Sequence, residues 1–177
     1  MTKIIVLDRD GVINHDSDAF IKSPDEWLPI EGSIEAIKRL KQAGWIVAIA
    51  TNQSGIKRGY YSRQTLSMMH QKFIDLLDGE LVDWISYAPY LSEDNSPARK
   101  PGVGMLQAIE KRFNCNLKNA PMVGDTKADM EVALAKSMQP YLVKTGKGER
   151  TLAKGDLRLQ SIPVYDNLNA VVEALLA

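Results

Sequence analysis

Cysteine occurs once in the 177 residues, histidine twice, and aromatic residues make up only 7%. A single thiol, Cys115, excludes an intramolecular disulfide framework and a multi-cysteine zinc site. Lying between Asn114 and Asn116, it reads as a small buried hydrophobe. His15 and His70 are far apart and have no paired Ser or Cys motif, so surface or capping roles are expected for both. No apolar run exceeds Trp45–Ala50, which is far too short to span a bilayer. The opening run Ile4–Leu7 is broken by Asp8 before it could act as a secretory signal. Nor is there an excess of one charge, because 22 Lys and Arg match 22 Asp and Glu. Neutrality speaks against a non-specific nucleic-acid binder or a polybasic membrane surface. These absences together predict a cytoplasmic, reduced protein with neither nucleic acid nor membrane as a partner; a monomer is expected.

What is present is ordinary for a globular domain: 45% apolar and 25% charged residues. The length suits one domain covering residues 1–177, with ample material for a core. The charge, though balanced, is uneven. Residues 1–31 hold three basic side chains and seven acidic ones, a balance of −4, and the remainder carries +4.

Ile4–Leu7, Ile46–Ala50, Trp84–Ala88, Pro121–Val123 and Pro140–Val143 are short apolar runs suited to strands buried on both faces, with Pro163–Tyr165 as a possible edge strand. Between them the apolar period turns helical. Ile34, Ile37 and Leu40 precede a C-capping Gly44, and Leu66, Met69, Phe73 and Leu76 follow an N-capping Ser62. Leu106, Ile109 and Phe113 form a third stripe, Met130, Ala133 and Leu134 a fourth, and 168–176 a fifth. Repeated βα units predict an α/β fold, a three-layer, Rossmann-like, doubly wound parallel sheet.

Ligands of such sheets bind beyond the carboxyl ends of the strands. Those ends carry Asp8-Arg9-Asp10-Gly11, Thr51-Asn52-Gln53-Ser54-Gly55, Arg99-Lys100-Pro101 and Gly124-Asp125, with Asp129 one helical turn on. Each element alone has a plainer reading. Asp8 could cap or turn, Thr51-Asn52 could be a turn, Lys100 a solvated charge, and Asp129 a partner of a helix N-terminus. Their common placement at one sheet edge argues otherwise. Carboxylates gathered there repel unless a cation separates them, and hard oxygen ligands suit Mg²⁺. A rim rich in cations and hydroxyls suits a phosphate.

In this order the four motifs resemble those of the haloacid dehalogenase (HAD) phosphatase superfamily, over nearly the whole chain. The resemblance implies that Asp8 attacks phosphorus and becomes an aspartyl phosphate, while Asp10 serves as general acid and then base. It implies Mg²⁺ held by the Asp8 side chain, the Asp10 backbone carbonyl and Asp125, with Asp129 supporting the site from behind. Thr51 and Lys100 would hold the transferring phosphoryl group. The gaps Gly11–Glu31 and Pro89–Arg99 are too short for the superfamily's cap domains, so a capless, open site is expected.

Further residues are similar to those of the heptose-1,7-bisphosphate 7-phosphatases, and in part to the related histidinol-phosphate phosphatases: Asp8–Asn14, Ala50–Ile56, Asp16–Lys22 and Arg99–Gly102. By that resemblance Asp16, Ser17, Asp18 and Ala19, with Asn52, Gln53 and Ser54, would contact the sugar. Arg99 would bind the second phosphate or orient the sugar. Many members carry Cys-x-His and Cys-x-Cys before the Arg-Lys pair as a structural zinc site. Here those positions are Ala88, Tyr90, Ser96 and Ala98, so no zinc is expected. The implied activity is Mg²⁺-dependent removal of the C7 phosphate of a heptose 1,7-bisphosphate, a phosphorylated sugar feeding lipopolysaccharide or another surface glycan.

Rivals are a histidinol phosphatase, a polynucleotide 3′-phosphatase sharing the Thr-Asn-Gln element, a non-catalytic phosphosugar-binding module, and a receiver-type phosphoacceptor. The Asp8/Asp10 pair speaks against a binding module, which needs no second carboxylate. A receiver's phosphorylated Asp normally follows a middle strand rather than the first.

Overall fold

The first strand, β1 (Ile4–Leu7), lies in the middle of the sheet although it comes first in the chain. In a computed structural model describing residues 2–177, β1 is followed by α1 (Ser33–Gln42), β2 (Ile46–Asn52), α2 (Arg63–Leu76) and β3 (Trp84–Ala88). The chain continues through α3 (Gly104–Phe113), β4 (Pro121–Gly124), α4 (Lys127–Ala135), β5 (Gln139–Val143), α5 (Gly148–Ala153), β6 (Val164–Tyr165) and α6 (Leu168–Leu176). The six strands form one parallel sheet in the order β3-β2-β1-β4-β5-β6. Chain direction across the sheet reverses between β1 and β4, so the loops leaving these two strands part and open a crevice.

Side-chain alternation along the strands divides the core. Ile5, Leu7, Val47 and Ile49 pack with Ile37, Leu40, Leu66, Phe73 and Val171, contributed by α1, α2 and α6. Ile4, Val6, Ala48 and Ala50 face Leu106, Ile109 and Val132 of α3 and α4. Both faces are covered, which explains why β1 reads as a continuous apolar run. The expected three-layer α/β architecture is therefore present. Among the described residues no helix is long and apolar enough to cross a membrane.

Local signals place the helices. Ser62 caps α2 by accepting from Thr65 N at 3.1 Å, and Thr126 and Asp129 form a reciprocal capping box at α4. Several expectations are corrected in detail. Leu77, not Leu76, enters the core beyond α2, and Leu134 is exposed while Val132 is buried. Cys115 is only partly buried. β2 runs on through Thr51 and Asn52, which pair with Tyr87 and Ala88 of β3. Helix α5 follows β5 where no helix was foreseen.

No further domain interrupts the two connecting loops. The first is filled by Trp27, fully buried and 5.6 Å from Phe73 between ring centroids. Lys72 Nζ pins it by donating to the carbonyls of Pro24 and Trp27, both at 2.7 Å. The second loop contains a 3-10 turn at Ser92–Asp94. It is held by its own hydrogen bonds, including Arg99 Nη1 to Tyr90 O at 3.2 Å and Gly104 N to Pro97 O at 2.8 Å.

Candidate active site

A cavity of about 370 Å³ opens at the carboxyl ends of β1, β2 and β4. Asp8 and Asp10 line it with Lys100 and Asp125, as do Asp16, Ser17, Asp18, Asn52, Gln53, Ser54 and Arg99. Thr51 and Ala19 do not. Thr51 is 1% exposed, its hydroxyl accepting from Gln53 Nε2 at 2.9 Å, and Ala19 is exposed on the first loop.

Asp8 extends the parallel pairing by donating its N–H to Val123 O at 3.0 Å. Its Oδ1 accepts from Arg9 N at 2.8 Å and lies 3.0 Å from Lys100 Nζ. The same ammonium meets Asp129 Oδ1 at 2.6 Å. Asn52 fixes the Lys100 backbone: Oδ1 accepts from Lys100 N at 3.0 Å and Nδ2 donates to Lys100 O at 3.1 Å. Both polar ends of Asn52 are thus engaged within the protein. Burial and then the Asp129 charge push the Asp8 carboxyl up to about 7, against the pull of Lys100. Burial works against the Lys100 ammonium, but Asp129 and Asp8 hold it above its ordinary range.

Asp10 is held from three sides. Oδ1 accepts from Arg9 Nε at 3.2 Å, Arg9 Nη2 at 2.8 Å and Asn14 Nδ2 at 2.8 Å. Oδ2 accepts from Gln53 Nε2 at 2.9 Å, and Gln53 Oε1 in turn accepts from the Tyr61 hydroxyl. Burial favours the neutral acid, yet the Arg9 charge and the donors on its oxygens leave Asp10 below its ordinary value.

Asp8, Asp125 and Asp129 each place a carboxylate oxygen within 4.8 Å of the others. Asp129 is already committed. Its Oδ1 pairs with Lys100 and its Oδ2 accepts from Asp125 N, Thr126 N and Thr126 Oγ1. Asp125 is different, for Oδ2 accepts from Lys147 N at 2.8 Å while the buried Oδ1 has no partner. Burial and the neighbouring carboxylates of Asp8 and Asp129 raise its pKa well above normal. An unpartnered buried carboxylate oxygen beside a second carboxylate is the donor set of a hard divalent cation, so the site fits Mg²⁺. Asp125 Oδ2 is seated between Gly11 and Gly146, and a Cβ on either glycine would collide with it.

The cavity mouth is crossed by ion pairs. Arg150 grips both oxygens of Asp18 at 3.0 Å, and Lys147 Nζ lies 3.5 Å from Asp16. Arg99 is half-buried, and burial together with the charge of Arg58 lowers its pKa. Lys147, Arg150 and Arg58 were not singled out from the sequence. Applying the strand-end rule to the fifth strand, at Thr145-Gly146-Lys147, would have found the first. His70, expected in a surface or capping role, is instead buried against Arg9.

Parallel α/β layering, carboxylates at the β1 and β4 ends and a lysine between them define a phosphatase of the HAD superfamily. A family model described as polynucleotide kinase 3 phosphatase matches residues 3–148. The chain is 49% identical to a D-glycero-beta-D-manno-heptose-1,7-bisphosphate 7-phosphatase of Pseudomonas putida, over 98% of this chain and 99% of that one. It is 50% identical to the protein of that name from Pseudomonas aeruginosa, over 98% and 97%. The crystal structure of the D,D-heptose 1,7-bisphosphate phosphatase of B. bronchiseptica, complexed with magnesium and phosphate, has a TM-score of 0.94 at 46% identity. It covers 99% of this chain and 98% of its own. The chain belongs to the heptose-1,7-bisphosphate 7-phosphatase family.

Proposed function

We propose that this protein hydrolyses the C7 phosphate of D-glycero-D-manno-heptose 1,7-bisphosphate, giving heptose 1-phosphate, with Mg²⁺ as cofactor. The observation that carries the reading is the convergence of Asp8, Asp10, Lys100 and Asp125 in one cavity, in a chain similar to phosphatases of that name along nearly its whole length. Asp8 is the nucleophile: a carboxylate oxygen bonds to phosphorus as the ester bond to the sugar breaks. The electron pair leaves on the sugar oxygen, which takes a proton from Asp10. A water molecule then attacks the aspartyl phosphate, loses its proton to Asp10, and frees Asp8 and inorganic phosphate.

Asp8, the Asp10 backbone carbonyl and Asp125 would hold Mg²⁺, which supplies the positive charge that lets a carboxylate meet a phosphate. Lys100 neutralises the phosphoryl oxygens, while Thr51, buried outside the cavity wall, steadies the Gln53 amide. Asp129 positions Lys100. Arg99 takes the non-reacting phosphate, for which a guanidinium is well shaped, and residues 16–18 and 52–54 border the sugar. The sugar would reach Asp18 by exchange with Arg150. The remaining expectations are one functional domain over 1–177, a cytoplasmic monomer, and a 89–99 loop ordered by its own hydrogen bonds without zinc.

The test is a phosphate-release panel of heptose 1,7-bisphosphate, histidinol phosphate, hexose phosphates and 3′-phosphorylated DNA ends. Heptose 1,7-bisphosphate should lead, and Asp8→Asn should abolish turnover without unfolding the protein. Preference for the DNA ends would overturn the substrate and leave the chemistry standing.

A further inference from the structure

Arg9 stands between the two aspartates in sequence, yet its side chain is absent from the cavity wall and only 1% exposed. A buried guanidinium must be compensated by charge and have its donors met. Two of its nitrogens, Nε and Nη2, are used on Asp10 Oδ1, and Nη2 also approaches Gln53 Oε1 at 3.5 Å. The third, Nη1, has one partner among the described residues, His70 Nε2 at 3.3 Å. Guanidinium is a donor only, so Nε2 must be the acceptor and the imidazole is neutral, with its proton on Nδ1. His70 sits in the middle of α2, 61 positions from Arg9, and is 9% exposed.

This arrangement makes the two oxygens of Asp10 unequal. Oδ1 receives three N–H donors, from Arg9 and Asn14, and Oδ2 receives one, from Gln53. Each carboxylate oxygen offers about two lone-pair sites, so Oδ1 has no vacancy for a proton and Oδ2 retains one.

We infer that Arg9, anchored by His70, selects Oδ2 as the proton-carrying oxygen of Asp10, and that His70 is a positioning residue acting through Arg9. The inference rests on the reading of Asp10 as general acid and base. Arg9 and the other donors keep Asp10 mostly ionised, so the first step draws on its neutral fraction: the Oδ2 proton passes to the sugar oxygen as its bond to phosphorus breaks and the Asp8–phosphorus bond forms. In the second, the attacking water returns a proton to Oδ2 as the phosphorus–Asp8 bond breaks. Without His70, Nη1 is left unpaired in the core. The guanidinium can then turn toward another acceptor, and the fork on Oδ1 loosens.

Leaving-group dependence separates this role from simple packing. A sugar alkoxide needs a proton to depart, whereas p-nitrophenolate departs without one. The ratio of kcat/KM for heptose 1,7-bisphosphate to that for p-nitrophenyl phosphate therefore reports the acid step, and it is independent of how much of a preparation is folded. His70→Leu should lower this ratio about 10-fold or more, as misplacing a general acid does. His70→Gln, whose amide oxygen can accept from Nη1, should restore it to within about 3-fold of the wild type. An unchanged ratio in His70→Leu, or equal loss in both variants, would overturn the inference. Asp10→Asn is measured alongside and should lower the ratio further than His70→Leu. If Asp10→Asn leaves the ratio unchanged, the assignment of Asp10 itself fails, which is a separate result.

Discussion

Acidification should cost this protein stability through His70, by an amount that can be worked out. Burial and the adjacent Arg9 charge push the His70 pKa from its ordinary 6.5 down to about 4. Between those values the unfolded chain binds a proton that the folded chain refuses. Stability from this residue is thus fully present above about pH 6.5 and is lost as pH falls toward 4. Each pH unit in that window is worth about 1.4 kcal/mol, so the whole interval amounts to roughly 3 kcal/mol. Urea unfolding of the wild type and His70→Gln between pH 7.5 and 4 would measure it. Comparing the two proteins cancels the carboxylates they share. The wild-type midpoint should fall relative to the variant by roughly 1–3 M urea, given slopes of about 1–3 kcal/mol per molar. Parallel pH profiles would refute the reasoning, because they would mean that His70 is protonated normally in the folded state.

Other perturbations probe the charged cluster. Lys100→Met strands Asp8 and Asp129 beside each other in the interior, and should cost about 3–5 kcal/mol as well as nearly all turnover; denaturant melts showing no loss would mean the ion pairs are not formed. Asp125→Asn removes a repelling carboxylate and a proposed metal ligand together. The metal-free protein should melt no lower than wild type while the Mg²⁺-induced rise in Tm disappears, and a wild-type rise would count against Asp125 as a ligand. Gly146→Ala places a Cβ against Asp125 Oδ2 and the Gly11 backbone at a φ of +59°. It should cost about 1–3 kcal/mol and weaken Mg²⁺ activation, and an unchanged Mg²⁺ titration would contradict that packing.

The sheet was legible because its signal is local. Ile4–Leu7 is a continuous apolar run and Trp84–Ala88 one interrupted only by Ser86, and the observed strands have those same limits. β2 outran its predicted end because Thr51 and Asn52, polar in sequence, still pair with β3. The strand-end rule placed Asp8, Asp10 and Asp125 at one cavity because parallel topology brings those ends together, and Lys100 joins them because Asn52 holds its backbone at the far end of the loop after β3. It missed what lies beneath them. His70 reads as a polar residue on a helix, and its burial depends on Arg9, supplied by another element. The amides of Asn52 and Gln53, expected at the sugar, are engaged with Lys100, Asp10 and Thr51. Neither composition nor periodicity records such a choice of partner. α5 escaped because its six residues are too few to show a helical period.

The central position of β1 has a consequence for how the protein matures. β1 is synthesised well before β4, yet one of its edges pairs with β4, at residues 121–124. Until the ribosome has released those residues, that edge of Ile4–Leu7 stays open and Asp8 lacks the Val123 carbonyl that fixes its backbone. Such long-range parallel pairing closes slowly. The residues that converge on the cavity can therefore be brought into register only after β4 has joined the sheet, and activity reports that long-range pairing rather than the first strands alone.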